Sequence, residues 1–316
     1  MKSFRSGPTL RKVASRQTPS DTGIPALRAG ASVLFFGGSF DPPHQGHAAL
    51  LDAAVKHEQD RRGVACPFDL VLIVPSAHSP LKATGPVASD MERVAMCRLG
   101  LLHAFSAARW NGARGMVWTD ELDRAFIAAQ AEGPEPAVPS YTYDTIQTLL
   151  AALRLHRKGE DSARISLLMG EDQAMAFHRW KEARALFSVI EPLVYLRGGL
   201  GWGQGWGQGQ GWGAAKERGN QRPPRLGGVK AFMAGLGGVS REGNKATAFW
   251  NKRDLARWKA GIICTELKDV SSTDLRAALA RATRGTDETI ANGLHPRVRA
   301  FIERRGAYRK HVGELA

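Results

Sequence analysis

Short, wholly apolar runs recur along this chain and alternate with stretches of helical periodicity. The run Ser32-Val33-Leu34-Phe35-Phe36, entered from Ala31 and leading into Gly37-Gly38, predicts a strand buried on both faces. Leu51 to Val55 continues a helical pattern after His47, and Leu70 to Val74 predicts a second strand, closed by Pro75. Asp90 to Phe105 has helical spacing, with Met91, Val94, Ala95, Leu99, Leu101 and Leu102 available for one broad face. Met116 to Trp118 is a candidate third strand. Hydroxyls and a carboxylate between Ser140 and Thr145 precede Ile146, Leu149, Leu150 and Leu153, as at a capped helix start. Ile165 to Met169 predicts a fourth strand ending at Gly170. A helix at about Lys181 to Phe187 and a strand at about Leu193 to Leu196 follow.

This pattern then stops. From Gly198 to Trp212 the chain is a Gly-Trp-Gln tract, whose glycines cannot repay the entropy of ordering, and basic, Gly-rich sequence continues to about Ala260. The reading is therefore a core over 31–197, a flexible insertion over 198–260 in which Trp250 and Trp258 pack locally, and a second core piece over 261–316. That second piece holds Gly261-Ile262-Ile263-Cys264, a helix at about Asp274 to Ala282, and a last helix from about Pro296 to Arg304. Strands alternating with helices predict an α/β fold, a Rossmann-like, mostly parallel sheet with helices on both faces. Ligands of such sheets bind beyond the carboxyl ends of the strands.

Net charge changes the picture only after it is divided. The formal +14 suggests nucleic acid, but residues 31–197 hold 17 basic and 19 acidic residues. Residues 1–30 hold 6 basic and 1 acidic, and residues 198–260 hold 11 basic and 3 acidic. Basicity thus lies in the two accessory segments, which argues against nucleic acid as the main partner. Residues 1–30 loosely resemble an organellar transit peptide, while their composition favours a disordered tail. No apolar run approaches the ~20 residues that cross a bilayer. Cys66, Cys97 and Cys264 are too few and scattered for a disulfide framework, and a cytoplasmic location is expected.

Two stretches carry candidate chemistry. In Gly37-Gly38-Ser39-Phe40-Asp41-Pro42-Pro43-His44-Gln45-Gly46-His47 the glycines allow a tight turn and close approach to a phosphate. His44 and His47, three apart at a helix start, can share one side and donate hydrogen bonds to phosphate oxygens. Ser271-Ser272-Thr273-Asp274-Leu275-Arg276 offers hydroxyls, backbone amides and a guanidinium at another helix start, a second place for an anion. Taken alone it is equally an N-cap followed by a surface Arg.

The first stretch resembles the G-G-[ST]-F-D-P-x-H-x-G-H signature of the nicotinate-nucleotide adenylyltransferase family, within the H-x-G-H nucleotidyltransferases. The second resembles that family's I-S-S-T-x-[IL]-R, with Val270 in place of Ile. Ser140 to Thr145 is similar to its S-Y-T-x-D-T element. Gly170-Glu171-Asp172 with Phe177-His178-Arg179-Trp180 is similar to its G-x-D and F-x-x-W segment. Leu294-His295-Pro296 through Tyr308 looks like its C-terminal L-P-x-x-V motif. Val74 to Lys82 resembles V-P-x-x-x-P-P-H-K, but Leu81 stands where His is usual. The likeness covers 31–197 and 261–316.

The resemblance implies transfer of AMP from ATP to nicotinate mononucleotide, giving deamido-NAD and pyrophosphate, with Mg²⁺ arriving on ATP and no dedicated metal site. It implies catalytic roles for His44, His47, Lys82 and Arg276. ATP would be held by Gly37, Gly38, Ser39, Phe40, Gly46, His47, Gly170, Asp172, Ser271, Ser272, Thr273 and Arg276. The pyridine nucleotide would meet Ser39, Tyr141, Thr142 and Trp180. Nicotinamide mononucleotide or another phosphorylated acceptor stays open, as does nucleic-acid binding by the basic insertion, and oligomeric state is not legible.

Overall fold

A computed structural model of the chain describes residues 23–78, 85–102, 112–132, 139–155, 163–196, 228–236, 239–242, 245–263, 270–281 and 287–308. Lys82, Cys264 and the Gly-Trp-Gln tract lie outside the described residues. The elements are β1 (Ser32–Gly38), α1 (Gln45–Arg62), β2 (Leu70–Pro75), α2 (Asp90–Cys97), β3 (Arg114–Val117), α3 (Asp120–Glu132), α4 (Thr142–Leu155), β4 (Arg164–Gly170), α5 (Glu171–Ala176), α6 (Ala183–Val189) and β5 (Ile190–Tyr195). Then come α7 (Gly228–Gly235), the pair β6 (Val239–Glu242) and β7 (Lys245–Ala248), α8 (Lys252–Ala260), β8 (Ile262–Ile263), α9 (Ser272–Arg281), α10 (Glu288–Gly293) and α11 (Pro296–Arg305).

The main sheet has the order β3-β2-β1-β4-β5-β8, and every neighbouring pair is parallel. This is the Rossmann-like sheet expected. Alternation along each strand divides its side chains between two cores, since successive residues of a strand point to opposite faces. Val33 and Phe35 enter one core with Leu70, Leu72 and Val74, while Leu34 and Phe36 enter the other with Val71 and Ile73. Full burial on both faces is why these strands read as apolar runs. The strand order reverses between β1 and β4, so their carboxyl ends, Gly38 and Gly170, frame the switch-point crevice. A third cluster joins Met96 of α2 to Leu275, Ile290, Val298, Ile302 and Tyr308, and sets the C-terminal helices beside the loop after β1.

Three expectations change. The ordered chain begins ahead of Ala31, because Ile24 and Leu27 are buried in the first core and Arg28 pairs with Asp69 at 2.7 Å. The helix from Asp90 is α-helical only to Cys97, then widens into a π turn over Arg98–Leu102, and its buried face carries Arg93, Val94, Met96 and Cys97 while Met91 is 77% exposed. Last, the expectation of a flexible insertion over 198–260 does not hold for its described residues, 228–236, 239–242 and 245–260. Its second half contains α7, β6, β7 and α8, and Trp258 is fully buried against Phe177, Phe187 and Trp250. Gly261 then passes so close to β5 that a Cβ would sit 1.7 Å from the Pro192 carbonyl oxygen, and its own carbonyl accepts from Val194 at 2.8 Å. Only glycine permits that backbone contact.

Candidate active site

The chain leaves β1 through Gly38 and Ser39 into Phe40, whose left-handed backbone (φ 47°) turns it back toward α1. Phe40 is buried between Phe36 and His47, with ring centroids 5.3 and 5.1 Å away. The turn is held from two neighbours. Ser76, after β2, donates its N–H to the Gly38 carbonyl at 2.9 Å, and the fully buried Arg93 donates to the Ser39 carbonyl at 2.7 Å while pairing with Asp90 at 2.6 Å.

His44 caps α1 with an extended backbone, and its carbonyl accepts from His47 and Ala48. The His44 backbone N–H donates to His47 Nδ1 at 3.2 Å. With Nδ1 accepting, a neutral His47 ring carries its proton on Nε2. The two imidazoles are stacked, 3.7 Å between centroids at 30°. A Cβ on Gly46 would lie 3.0 Å from His44 Nδ1 and 3.5 Å from the Val270 carbonyl, so glycine here lets the stacked rings and the start of α9 approach together.

The second motif docks directly on this turn. Ser271 caps α9, accepting from the Asp274 N–H at 3.1 Å; Ser272 Oγ donates to the Pro42 carbonyl at 3.1 Å; Arg276 donates to the Asp41 carbonyl at 2.6 Å and to Thr273 Oγ1 at 3.3 Å. A guanidinium has five N–H groups, so these bonds leave donors for a ligand. The Asp41 side chain, 3% exposed, accepts from the N–H groups of Val87 (2.7 Å) and Ala88 (3.0 Å) and from Tyr308 Oη (2.7 Å), with Arg276 3.7 Å away. Burial and the neighbouring Asp41 charge push the Tyr308 phenol well up, keeping it a donor. Asp41 and Arg93 were not among the expected site residues. The motif contains Asp41, but its partners are remote in sequence and no local signal names them.

At the start of α4, the Ser140 and Thr145 hydroxyls serve Glu121. Ser140 Oγ donates to Glu121 at 2.7 Å and Thr145 Oγ1 at 3.2 Å, while Arg124 binds Asp120 at 2.9 Å and Thr145 at 2.6 Å. Burial pushes the Glu121 carboxyl up, and the bond from Ser140 is the largest effect opposing it. This network fixes Tyr141 and Thr142 at the start of α4. Lys181 then bonds both oxygens of Asp144 at 2.8 Å and lies 5.0 Å over the Tyr141 ring, drawing the Trp180 turn to α4. Trp180 stacks on Phe177 (4.8 Å, 23°), and its buried indole N–H finds no acceptor among the described residues.

The structure thus brings His44, Gly46, His47, Ser272 and Arg276 into one bonded group, and Tyr141 beside the Trp180 turn. The loop after β2 touches both, through Ser76 to Gly38 and through the His78 carbonyl to the Ser140 N–H at 3.1 Å. Gly170 ends β4 as the cap of α5, and Asp172 is exposed on its first turn. Lys82 lies outside the described residues.

A parallel sheet with phosphate-suited loops at its switch point defines a Rossmann-like nucleotide-binding domain. More particularly, the chain belongs to the cytidylyltransferase-like family, whose model matches residues 35–278. It is 30% identical over 176 residues to a Rhodopirellula baltica protein named "Probable nicotinate-nucleotide adenylyltransferase", covering 55% of this chain and 64% of that one. It is 33% identical over 167 residues to a Chlorobium luteolum protein of the same name, covering 52% and 68%. The match thus spans just under two thirds of the first relative's length. A Plasmodium falciparum nicotinic acid mononucleotide adenylyltransferase, solved with NaAD, superposes with a TM-score of 0.48 at 14% identity over 88% of this chain and 97% of that one.

Proposed function

We propose that the protein transfers AMP from ATP to nicotinate mononucleotide, forming deamido-NAD and releasing pyrophosphate. The observation that carries this reading is the direct bonding of the two anion-suited motifs, Ser272 and Arg276 onto the Asp41–Pro42 turn, beside His47 at the carboxyl end of β1. The names of the relatives supply the acceptor.

In this reading the 5′-phosphate of the acceptor attacks the α-phosphorus of ATP in line, and the bond to the pyrophosphate oxygen breaks. The attacking phosphate is already ionised, so no covalent nucleophile is required. Alignment of the two phosphates contributes on the order of 7 to 11 kcal/mol. His47 Nε2–H, His44 and the free N–H groups of Arg276 stabilise charge on the transferring phosphates, assisted by Lys82 and the hydroxyls of Ser271 and Thr273. Gly37, Gly38, Ser39, Phe40 and Gly46 shape the ATP cradle, with Gly170 and Asp172 beside the nucleoside. Tyr141, Thr142 and the uncovered face of Trp180 receive the pyridine ring, with Ser39 at its phosphate.

Among the described residues no three His, Cys, Asp or Glu side chains are grouped to hold a metal ion. The Mg²⁺ proposed is the one ATP carries on its phosphates, with water completing its shell. Pyrophosphate release with ATP and nicotinate mononucleotide, nicotinamide mononucleotide or phosphopantetheine tests the reading. Highest kcat/KM is expected with nicotinate mononucleotide, and equal or faster turnover with another acceptor overturns the assignment.

A further inference from the structure

A second concavity, about 480 Å³, lies between α6 and the start of α8, and none of its lining residues belongs to the loops after β1, β2 or β4. Three guanidiniums line it: Arg184 from α6, and Arg253 and Arg257 from α8. Arg184 donates to the Phe249 carbonyl at 2.5 Å and lies 4.6 Å over the Phe249 ring. Arg257 donates to the Ile190 carbonyl and lies 4.3 Å over Phe187. Arg253 is exposed.

None of the three is within ion-pair distance of a carboxylate among the described residues, whereas Arg61, Arg62, Arg93, Arg124 and Arg276 each are. The one carboxylate in the lining, Asp254, is committed to the helix cap, where it accepts from the Asn251 N–H at 3.2 Å while Asn251 accepts from the Asp254 N–H at 2.9 Å. The backbone amides at this helix start are therefore partly capped by protein, and the attraction for an anion comes from the arginines. The buried Trp250 ring contributes an apolar part of the wall, which strengthens a nearby charge interaction by excluding water. The volume falls within the ~300 to 1,000 Å³ of small-molecule sites.

We propose that this concavity binds a phosphate monoester of about mononucleotide size, separately from the proposed nucleotide site. Guanidiniums bind phosphate through paired N–H donors, and the apolar wall gives the organic part a surface that inorganic phosphate lacks. Five of the eight lining residues lie within 250–257, in the segment that the family motifs leave out.

The test uses the full chain with 5′-AMP and with inorganic phosphate as probes. An arginine-directed dicarbonyl reagent, read peptide by peptide by mass spectrometry, reports occupancy at Arg253 and Arg257 without reference to activity. Saturable protection of both is expected, stronger with AMP than with phosphate, and retained in His47→Ala. In calorimetry of the His47→Ala protein, Arg253→Glu should weaken AMP binding by about tenfold or more, ~1.4 kcal/mol. Arg253 is exposed, so this variant is expected to keep the wild-type melting temperature. Absence of protection overturns the proposal, as does equal protection by chloride at matched ionic strength, which is screening only. Loss of protection in His47→Ala also overturns it, because AMP would then be acting from the other site. Failure of the acceptor assay leaves these outcomes unaffected.

Discussion

His47 shows how one backbone hydrogen bond can set the tautomer of a neutral imidazole. The N–H of His44 occupies Nδ1, so a neutral ring carries its proton on Nε2. In His47→Ala, kcat is expected to fall by about a hundredfold or more with a smaller change in KM for ATP, as for loss of one transition-state donor. Steady-state pyrophosphate release, with circular dichroism to confirm folding, measures it, and near-normal turnover in a folded variant removes His47 from the chemistry. The grouping of His44, Gly46 and His47 was legible in the sequence because all three fall within eleven consecutive residues. Asp41 was legible only as part of that string. Its partners Val87, Arg276 and Tyr308 lie 46, 235 and 267 residues away, and nothing local to any of them announces a shared carboxylate. Tyr308→Phe leaves that buried carboxylate without one donor. It is expected to cost about 1.5 to 3 kcal/mol in urea denaturation, the range for a hydrogen bond to a charged group.

Among the elements, the strands were the easiest to read. Each central strand carries an apolar run because helices cover both faces, broken only by Ser32 in β1 and by Arg164 and Ser166 in β4, and periodicity, turn residues and length agree. The helix α8 was the hardest. Its sequence Lys-Arg-Asp-Leu-Ala-Arg-Trp-Lys-Ala has only Leu255 and Trp258 as large apolar residues, so charge dominates the pattern and invites a solvated reading. The fold overrides it, because Trp258 completes an aromatic cluster with Phe177, Phe187 and Trp250 under the sheet edge, and Gly261 then admits β8 against β5. Trp258→Ala is expected to destabilise the protein by about 3 to 5 kcal/mol, the usual cost of emptying so large a buried site. A thermal or urea melt within ~1 kcal/mol of wild type would show that α8 is an appendage after all. The acid-rich start of α3 was likewise overlooked, since Glu121 matters through Ser140 and Thr145, residues that sequence alone offers as a cap.

At the scale of the molecule, charge is arranged differently at the two ends of the sheet. At the amino end, the buried Glu58 gathers Arg61 and Arg62, and Glu191 joins them at 3.0 Å from Arg61 and 3.2 Å from Arg164. Burial alone would raise the Glu58 carboxyl, but Arg61 and Arg62 outweigh it and hold it below its ordinary 4.5. A carboxyl depressed by folding contributes stability in full above its unfolded value and loses it as pH falls through the folded one. Stability is therefore expected to drop as pH falls below 4.5. Glu58→Gln should flatten that part of the profile and also lower stability at neutral pH by leaving Arg62 with only the longer contact to Glu191, at 3.5 Å; urea midpoints from pH 3 to 7 decide it. Among the described residues no helix is long and apolar enough to cross a membrane.

The carboxylate of Asp41 also imposes an order of events. A ribosome releases the glycine turn and both histidines early, yet the group that steadies them lacks Arg276 and Tyr308 until 235 and 267 further residues have followed Asp41. Nascent chains that stop short of Arg276 thus carry the whole glycine and histidine turn without its brace, which is complete only once Tyr308 has been added. Supplying that C-terminal piece separately to a chain cut after residue 263 would show whether the brace can be restored in trans.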